Sequence, residues 1–321
     1  VSLYDHLKTT AALSVCLYDF YQNKESSEKP FLLIGADFSG IQPYIYQIVS
    51  KHAGKNLKGR SFYLSLLSDT IVRYLLKELN LFQANIVYNS GGSFYLLAPN
   101  TVFVQQQLQN AIQTIEQHLF ETHGTSLYVA IDSVEISKEA LMHKEGQNLS
   151  KIWGELFEKR DKKKSAKFAT QIMSRYSDFF NPILQGGDSD RDSITGEEFL
   201  SNEKPVIKDG LKLKKTTNEQ IEIGKKLRET NIIVVKDGES LTYWNEKTHI
   251  SPANLGFTYY FLNSEKDLSE MKEKLQASAD KVTVITLNGK NGDCCFMHTI
   301  DGINNIYSLM FYGGNEIDRK N

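Results

Sequence analysis

Apolar residues recur every three to four positions over 3–21, at Leu7, Ala11, Leu13, Cys16, Leu17 and Phe20, and predict a helix. A polar connector, 23–30, leads into an unbroken apolar run of strand length at 31–36, which ends at Asp37. Gly40 lets the chain turn, and helical spacing resumes over 41–49. A basic loop is predicted over 51–60 and a long leucine-rich helix over 61–79. Strands are predicted next at 84–89 and 94–99, joined by Ser90-Gly91-Gly92-Ser93. A Gln-rich helix over 101–122, a strand over 126–136 and a helix from Ser137 to about 151 complete the order βααββαβα. That order is the layout of an α+β, ferredoxin-like domain: one antiparallel sheet with helices on one face.

From Trp153 the texture changes. The cluster 158–167 (EKRDKKKSAK) reads either as a solvated helix face or as a contact with RNA or a neighbouring subunit. The segment 185–198 (QGGDSDRDSITGEE) is turn-rich and acidic. Counted from Asp188 it is no EF-hand loop: Ser193 comes after Asp192, and the twelfth place is Phe199. A lysine-rich linker, 203–217, precedes a helix at 219–229 and strands at 232–235, 255–262, 281–287, 294–297 and 306–312, with a helix at 265–277. This second half reads as a smaller α/β module whose strands face a partner.

Length and charge narrow the classes. The 321 residues suffice for roughly two domains. A formal net charge of −2 means that any nucleic-acid surface must be local. Cys16, Cys294 and Cys295 suit neither a disulfide framework nor a CxxC zinc knuckle, so structural thiols in a reducing cytoplasm are expected. No apolar run reaches membrane-spanning length, so no membrane partner is expected. The chain opens without methionine or a signal peptide and reads as an excerpt of a longer polypeptide.

Three stretches carry candidate chemistry. Asp37 ends a strand and precedes a helix, an order that resembles the first metal-ligand strand of GGDEF-type cyclases and polymerase palms; the resemblance implies a ligand for a divalent ion against nucleotide phosphates, and the alternative is a cap of the next helix. Lys55, Lys58 and Arg60, just ahead of a helix start at Ser61, read either as a phosphate site or as a solvated loop. Asp5, in the first turn of the first helix, is either a carboxylate favoured by the helix dipole or a metal ligand left from a histidine-aspartate hydrolase site.

Several short strings in order add a resemblance. The opening SLYDHLKTTAA resembles the last helix of a histidine-aspartate (HD) nuclease domain. GADFSGIQ, Tyr44-Ile45-Tyr46, Lys58-Gly59-Arg60-Ser61 and NSGGSFYLLAP resemble a first palm domain. Asp192-Ser-Ile-Thr-Gly-Glu-Glu198 resembles a linker, and Ile223-Gly-Lys-Lys-Leu227 and Tyr312-Gly-Gly-Asn315 fit the same pattern. Together they resemble the large subunit of type III CRISPR effector complexes (the Cas-ten family, Csm branch). The resemblance divides the chain into the last HD helix (1–22), a first palm (23–152), a linker (153–230) and a small α/β module (231–321).

It also implies function. The family joins ATP into cyclic oligoadenylates when target RNA pairs with guide RNA, and many members cleave single-stranded DNA. Implied partners are guide RNA, target RNA, the small subunit and the guide-5′-end-binding subunit. Implied cofactors are ATP and, in the full subunit, Mg or Mn. The nucleotide site would comprise Asp37, Phe38, Ser39, Gly40, Ile41, Gln42, Arg60, Ser61, Gly91, Gly92 and Ser93, with Asp5 and Asp37 as metal ligands. The turn departs from the family's second palm, because Gly91-Gly92-Ser93-Phe94 replaces its GGDD and no GGDD occurs anywhere. The linker lacks the zinc cysteines of relatives, so no zinc is expected and apolar packing must hold it. The stretch is therefore catalytically incomplete alone. Competing expectations are a purely architectural fragment and a free-standing nucleotide receptor; a free-standing GGDEF-like cyclase is disfavoured without the acidic turn.

Overall fold

The computed structural model describes residues 2–23, 25, 27–48, 53–142, 148–180, 190–199, 203–238, 248–275, 282–286, 296–299 and 306–308. The chain divides into two compact units, Val1–Gln220 and Ile221–Asn321.

The first unit begins with α1 (Leu3–Gln22). Then come β1 (Phe31–Ser39), α2 (Ile41–Tyr46), α3 (Ala53–Glu78), β2 (Ile86–Ser90), β3 (Ser93–Pro99), α4 (Val102–His123) and β4 (Tyr128–Ile136). The four strands form one antiparallel sheet in the order β2-β3-β1-β4, the ferredoxin-like arrangement that the element order predicts. After β4 come α5 (Lys138–Leu141), α6 (Leu149–Ser165), α7 (Ala169–Ser174) and α8 (Tyr176–Phe180). A small hairpin, β5 (Val206–Lys208) and β6 (Leu211–Leu213), leads to α9 (Lys215–Lys226), within which the division between the units falls.

The sheet is covered on both faces, not one. Leu33 of β1, Leu97 of β3 and Val134 of β4 share a buried cluster with Ala12 and Cys16 of α1 and Leu156 of α6. Alternate residues of β1, Leu32, Ile34, Ala36 and Phe38, point to the opposite face and are also buried; α3 and α4 contact the sheet through β2, β3 and β4. Two-sided burial is why 31–36 is a continuous apolar run and not an alternating one. Cys16 lies wholly inside this core. Burial pushes its thiol up to about 12, which keeps it protonated and unreactive at neutral pH.

Helix α3 begins earlier than its glycines suggest. The expected basic loop at 51–60 lies mostly within it, because Asn56, Arg60 and Tyr63 face inward at helical spacing and their burial carries the helix through Gly59.

The second unit is an antiparallel six-stranded sheet in the order β12-β11-β10-β7-β9-β8. Its elements are β7 (Ile232–Asp237), β8 (His249–Ile250), β9 (Phe257–Leu262), α10 (Glu265–Leu275), β10 (Val282–Thr286), β11 (Phe296–Thr299) and β12 (Ile306–Ser308). Ile232, Val234, Tyr260, Leu262, Val282 and Val284 pack with Met271 of α10. Cys294, Cys295 and the terminal Tyr312–Asn315 string lie outside the described residues. Among the described residues no helix is long and apolar enough to cross a membrane.

Candidate functional site

Antiparallel register brings the two sequence-predicted stretches to one corner of the first sheet. Asp37 pairs with Ser93 on one side and Ala130 on the other. Ser93 Oγ donates to Asp37 Oδ1 at 2.6 Å. The backbone N–H of Phe38 donates to the Gly92 carbonyl at 2.8 Å. Gly91 and Gly92 turn with φ of 64° and 84°, left-handed values that glycine adopts freely. Gly91 is exposed and faces open space, with only the Tyr88 hydroxyl 4.0 Å from where a Cβ would stand. Behind the turn, Ile41 fills the space that a Gly92 side chain would need. Ser39 is half-buried, and Gln42 is exposed in the first turn of α2. Gly40, at φ 93°, caps that helix and packs against the Ser126 carbonyl.

The second oxygen of Asp37 is occupied as well. Lys164 Nζ, from the last turn of α6, pairs with Asp37 Oδ2. Asp37, Ser93 and Tyr95 lie on the sheet face that α6 crosses, and the helix is tied down along its length. Lys159 donates to the Ser133 carbonyl at 3.0 Å, Arg160 to the Ala36 carbonyl at 3.2 Å and to the Tyr95 hydroxyl at 3.1 Å. Lys163 lies 3.8 Å from Asp132. The basic cluster at 158–167 is therefore only partly a solvated face: its positions 159, 160, 163 and 164 dock on the first sheet, at helical spacing. The sequence-predicted site includes none of these four residues; their i, i+4 spacing marks a shared helix face but not what that face meets.

Arg60 and Ser61 are not ahead of a helix but inside α3. Ser61 is exposed. Arg60 is buried, with its guanidinium 4.3 Å from the Tyr44 ring centroid, and its Nε and Nη2 have no hydrogen-bond partner among the described residues. Tyr44 accepts a hydrogen bond from Gln220. Nearby, His123 is held 2.8 Å from the Tyr63 hydroxyl; burial, then the positive charges of Arg60 and Lys214, lower its pKa to about 3 and keep the ring neutral. Asp5 is separate from all of this. It and Ser2 cap α1 reciprocally, Ser2 Oγ donating to Asp5 Oδ2 at 2.8 Å and accepting from the Asp5 N–H at 3.1 Å.

Among the described residues no group of three or more His, Cys, Asp or Glu could hold a metal ion. A cleft of about 370 Å³ runs beside the outer strand β4, lined by Lys29, Gln105, Glu135, Glu155 and Lys159; it does not include the glycine corner.

With this geometry in place, likeness to known proteins becomes informative. Residues 30–182 match the family model for the Csm1 subunit domain B. A Methanocaldococcus jannaschii protein described as the CRISPR system single-strand-specific deoxyribonuclease Cas10/Csm1 (subtype III-A) is 34% identical over 235 residues, 64% of this chain and 29% of that one. Its Mycobacterium tuberculosis counterpart, with the same description, is 34% identical over 53% of this chain and 24% of that one. Residues 30–182 carry the Csm1 subunit domain B, and the chain is similar to Cas10/Csm1 proteins. The match spans less than a third of those Cas10/Csm1 relatives. Two solved Csm1–Csm4 cassettes share the fold: one in complex with cA3 (TM-score 0.60, 24% identity, 82% of this chain and 31% of that one) and one in complex with one ATP (TM-score 0.59, 24% identity, the same shares).

Proposed function

We propose that this chain is the first-palm region of a type III large subunit, and that its Asp37–Ser93 corner receives an adenine nucleotide for cyclic oligoadenylate synthesis completed elsewhere in the subunit. The observation that carries the reading is the close pairing of the β1 end with the glycine turn: Phe38 N–H on the Gly92 carbonyl, Ser93 on Asp37, and open space in front of Gly91. Two glycines let the backbone approach a ribose or phosphate that a side chain would keep away. The ATP- and cA3-bound Csm1 structures support it.

The division of labour comes from the chemistry. Two-metal phosphoryl transfer needs clustered carboxylates; the turn supplies none, and the facing end of β1 supplies Asp37. The palm binds and orients; a partner palm would hold Mg or Mn and supply charge stabilisation when bound. In this proposal residues 1–22 end an HD nuclease domain, 23–152 form the first palm, 153–230 the linker and 231–321 a module leading to the second palm. Partners are other effector subunits, as the Csm1–Csm4 cassettes suggest, together with guide and target RNA, in the cytoplasm. Single-strand DNA cleavage, for which the relatives are named, belongs in this proposal to the full subunit. In the architectural alternative the basic cluster would touch RNA. Docking of Lys163 and Lys164 on the palm favours the nucleotide reading over it.

Gly91→Asn tests the proposal. Asn tolerates the left-handed backbone, and its side chain enters the open space where the nucleotide is placed. In the assembled effector, cyclic oligoadenylate output at subsaturating ATP should fall at least ~10-fold, because small misplacements of reactants cost up to about 100-fold. The melting temperature should stay unchanged. Full output from the variant would refute a nucleotide role for this turn.

A further inference from the structure

The glycine corner contains a charge that the nucleotide reading leaves unused. The sequence suggests a divalent cation on Asp37, yet both carboxylate oxygens are engaged: Oδ1 by Ser93 Oγ and Oδ2 by Lys164 Nζ. Mg²⁺ demands an octahedral shell of hard oxygens. The facing turn contributes Gly91, Gly92 and Ser93, and although Asp161 brings a second carboxylate to the same ammonium, no group of three or more His, Cys, Asp or Glu among the described residues could hold a metal ion, so the donor set does not fit a divalent ion. An ammonium stands where the ion would.

Resting on the nucleotide reading above, the geometry points to Lys164 as the fixed cation of this palm: a polyphosphate-binding residue delivered by α6 in place of a metal. Three features support it. First, Lys164 is held in position. Its helix is fastened to the sheet through Arg160 on the Ala36 carbonyl and Lys163 on Asp132, and its own Nζ sits between Asp37 and Asp161, the latter at 3.7 Å. Second, it stays within reach of solvent, since the side chains of Lys164 and Asp37 are 27% and 25% exposed. Third, an ammonium has three N–H donors. It can keep one on Asp37 and offer another to a phosphate oxygen, whereas a metal on Asp37 Oδ2 would have to displace that ammonium. The neighbouring cations are committed to other groups on β1 and β4, so the charge beside the glycine turn belongs to Lys164.

The test is equilibrium titration of the full chain with ATP and with adenosine, in EDTA and in Mg²⁺, for the wild type, Lys164→Gln and Lys164→Arg. Wild type should bind ATP in EDTA. Lys164→Gln should weaken ATP at least ~10-fold, the scale of one charge-assisted hydrogen bond, and leave adenosine within about twofold. Lys164→Arg, which keeps the charge, should recover most of the ATP affinity and shows that the position tolerates substitution. Equal ATP binding by Lys164→Gln, equal loss of adenosine, or wild-type binding abolished by EDTA would each overturn the assignment. Absence of wild-type ATP binding with and without Mg²⁺ would instead remove the nucleotide reading, and this inference with it.

Discussion

Gly40→Ala should destabilise the first unit by about 3 kcal/mol and lower its melting temperature by roughly 6–12 °C. Two costs combine. Gly40 has φ 93°, where an L side chain costs about 1–2 kcal/mol. Its Cβ would also collide with the Ser126 carbonyl oxygen, a backbone atom that cannot rotate aside, adding ~1–3 kcal/mol of overpacking. Gly92 offers a contrast. There the first atom met is Ile41 Cδ1, the tip of a flexible side chain, so Gly92→Ala should cost about 1–2 kcal/mol, mainly for the backbone. Thermal melting monitored by circular dichroism separates the two. A Gly40→Ala loss under ~1 kcal/mol would mean that the β1–α2 turn relaxes freely, and that it does not fix the approach of Phe38 to Gly92.

Asp192→Ala should cost about 3–5 kcal/mol and release the segment around it, each buried donor left unpaired costing ~1–3 kcal/mol. Asp192 is only 1% exposed. Its Oδ1 accepts from the Ile194 and Thr195 N–H groups at 2.9 and 2.8 Å, and its Oδ2 from the Lys214 N–H at 2.6 Å. One carboxylate thus joins the 192–197 turn to the strand end at 213–214. The expectation that apolar contacts alone hold this linker is corrected here: Ile194 and Leu213 are buried, but a polar staple lies between their segments. Asp192→Asn keeps the Oδ1 acceptor and loses the one facing Lys214, so its cost should be about a third to a half as large. Hydrogen exchange read at Ile194, Thr195 and Lys214 checks this. Unchanged protection in Asp192→Ala would show that the staple contributes nothing.

Both effects arise where sequence patterns were only half informative. The order of elements and the antiparallel sheet could be read from spacing, because strand length, helical periodicity and a Gly-Gly hairpin are local signals, whereas the meeting of Asp37 with the glycine turn is what the resemblance to a palm implies. The second covered face is not part of the expected layout, which has helices on one face, although the unbroken apolar run at 31–36 is its signature. Arg60 was misplaced because Gly54 and Gly59 read as breakers, although helices pass through glycine when neighbouring side chains are buried. Lys164 was out of reach for a different reason. Its partner Asp37 is 127 residues away, and a run of lysines looks the same whether it faces water or a carboxylate.

The central claim is that an adenine nucleotide binds at the corner formed by the end of β1 and the Gly91–Gly92 turn. Photo-crosslinking with 8-azido-ATP, then digestion and peptide mapping, tests it most directly. Label is expected on peptides covering 37–46 and 88–95, competed away by unlabelled ATP. Competable label confined to other segments, such as the cleft beside β4 or the second unit, would contradict it.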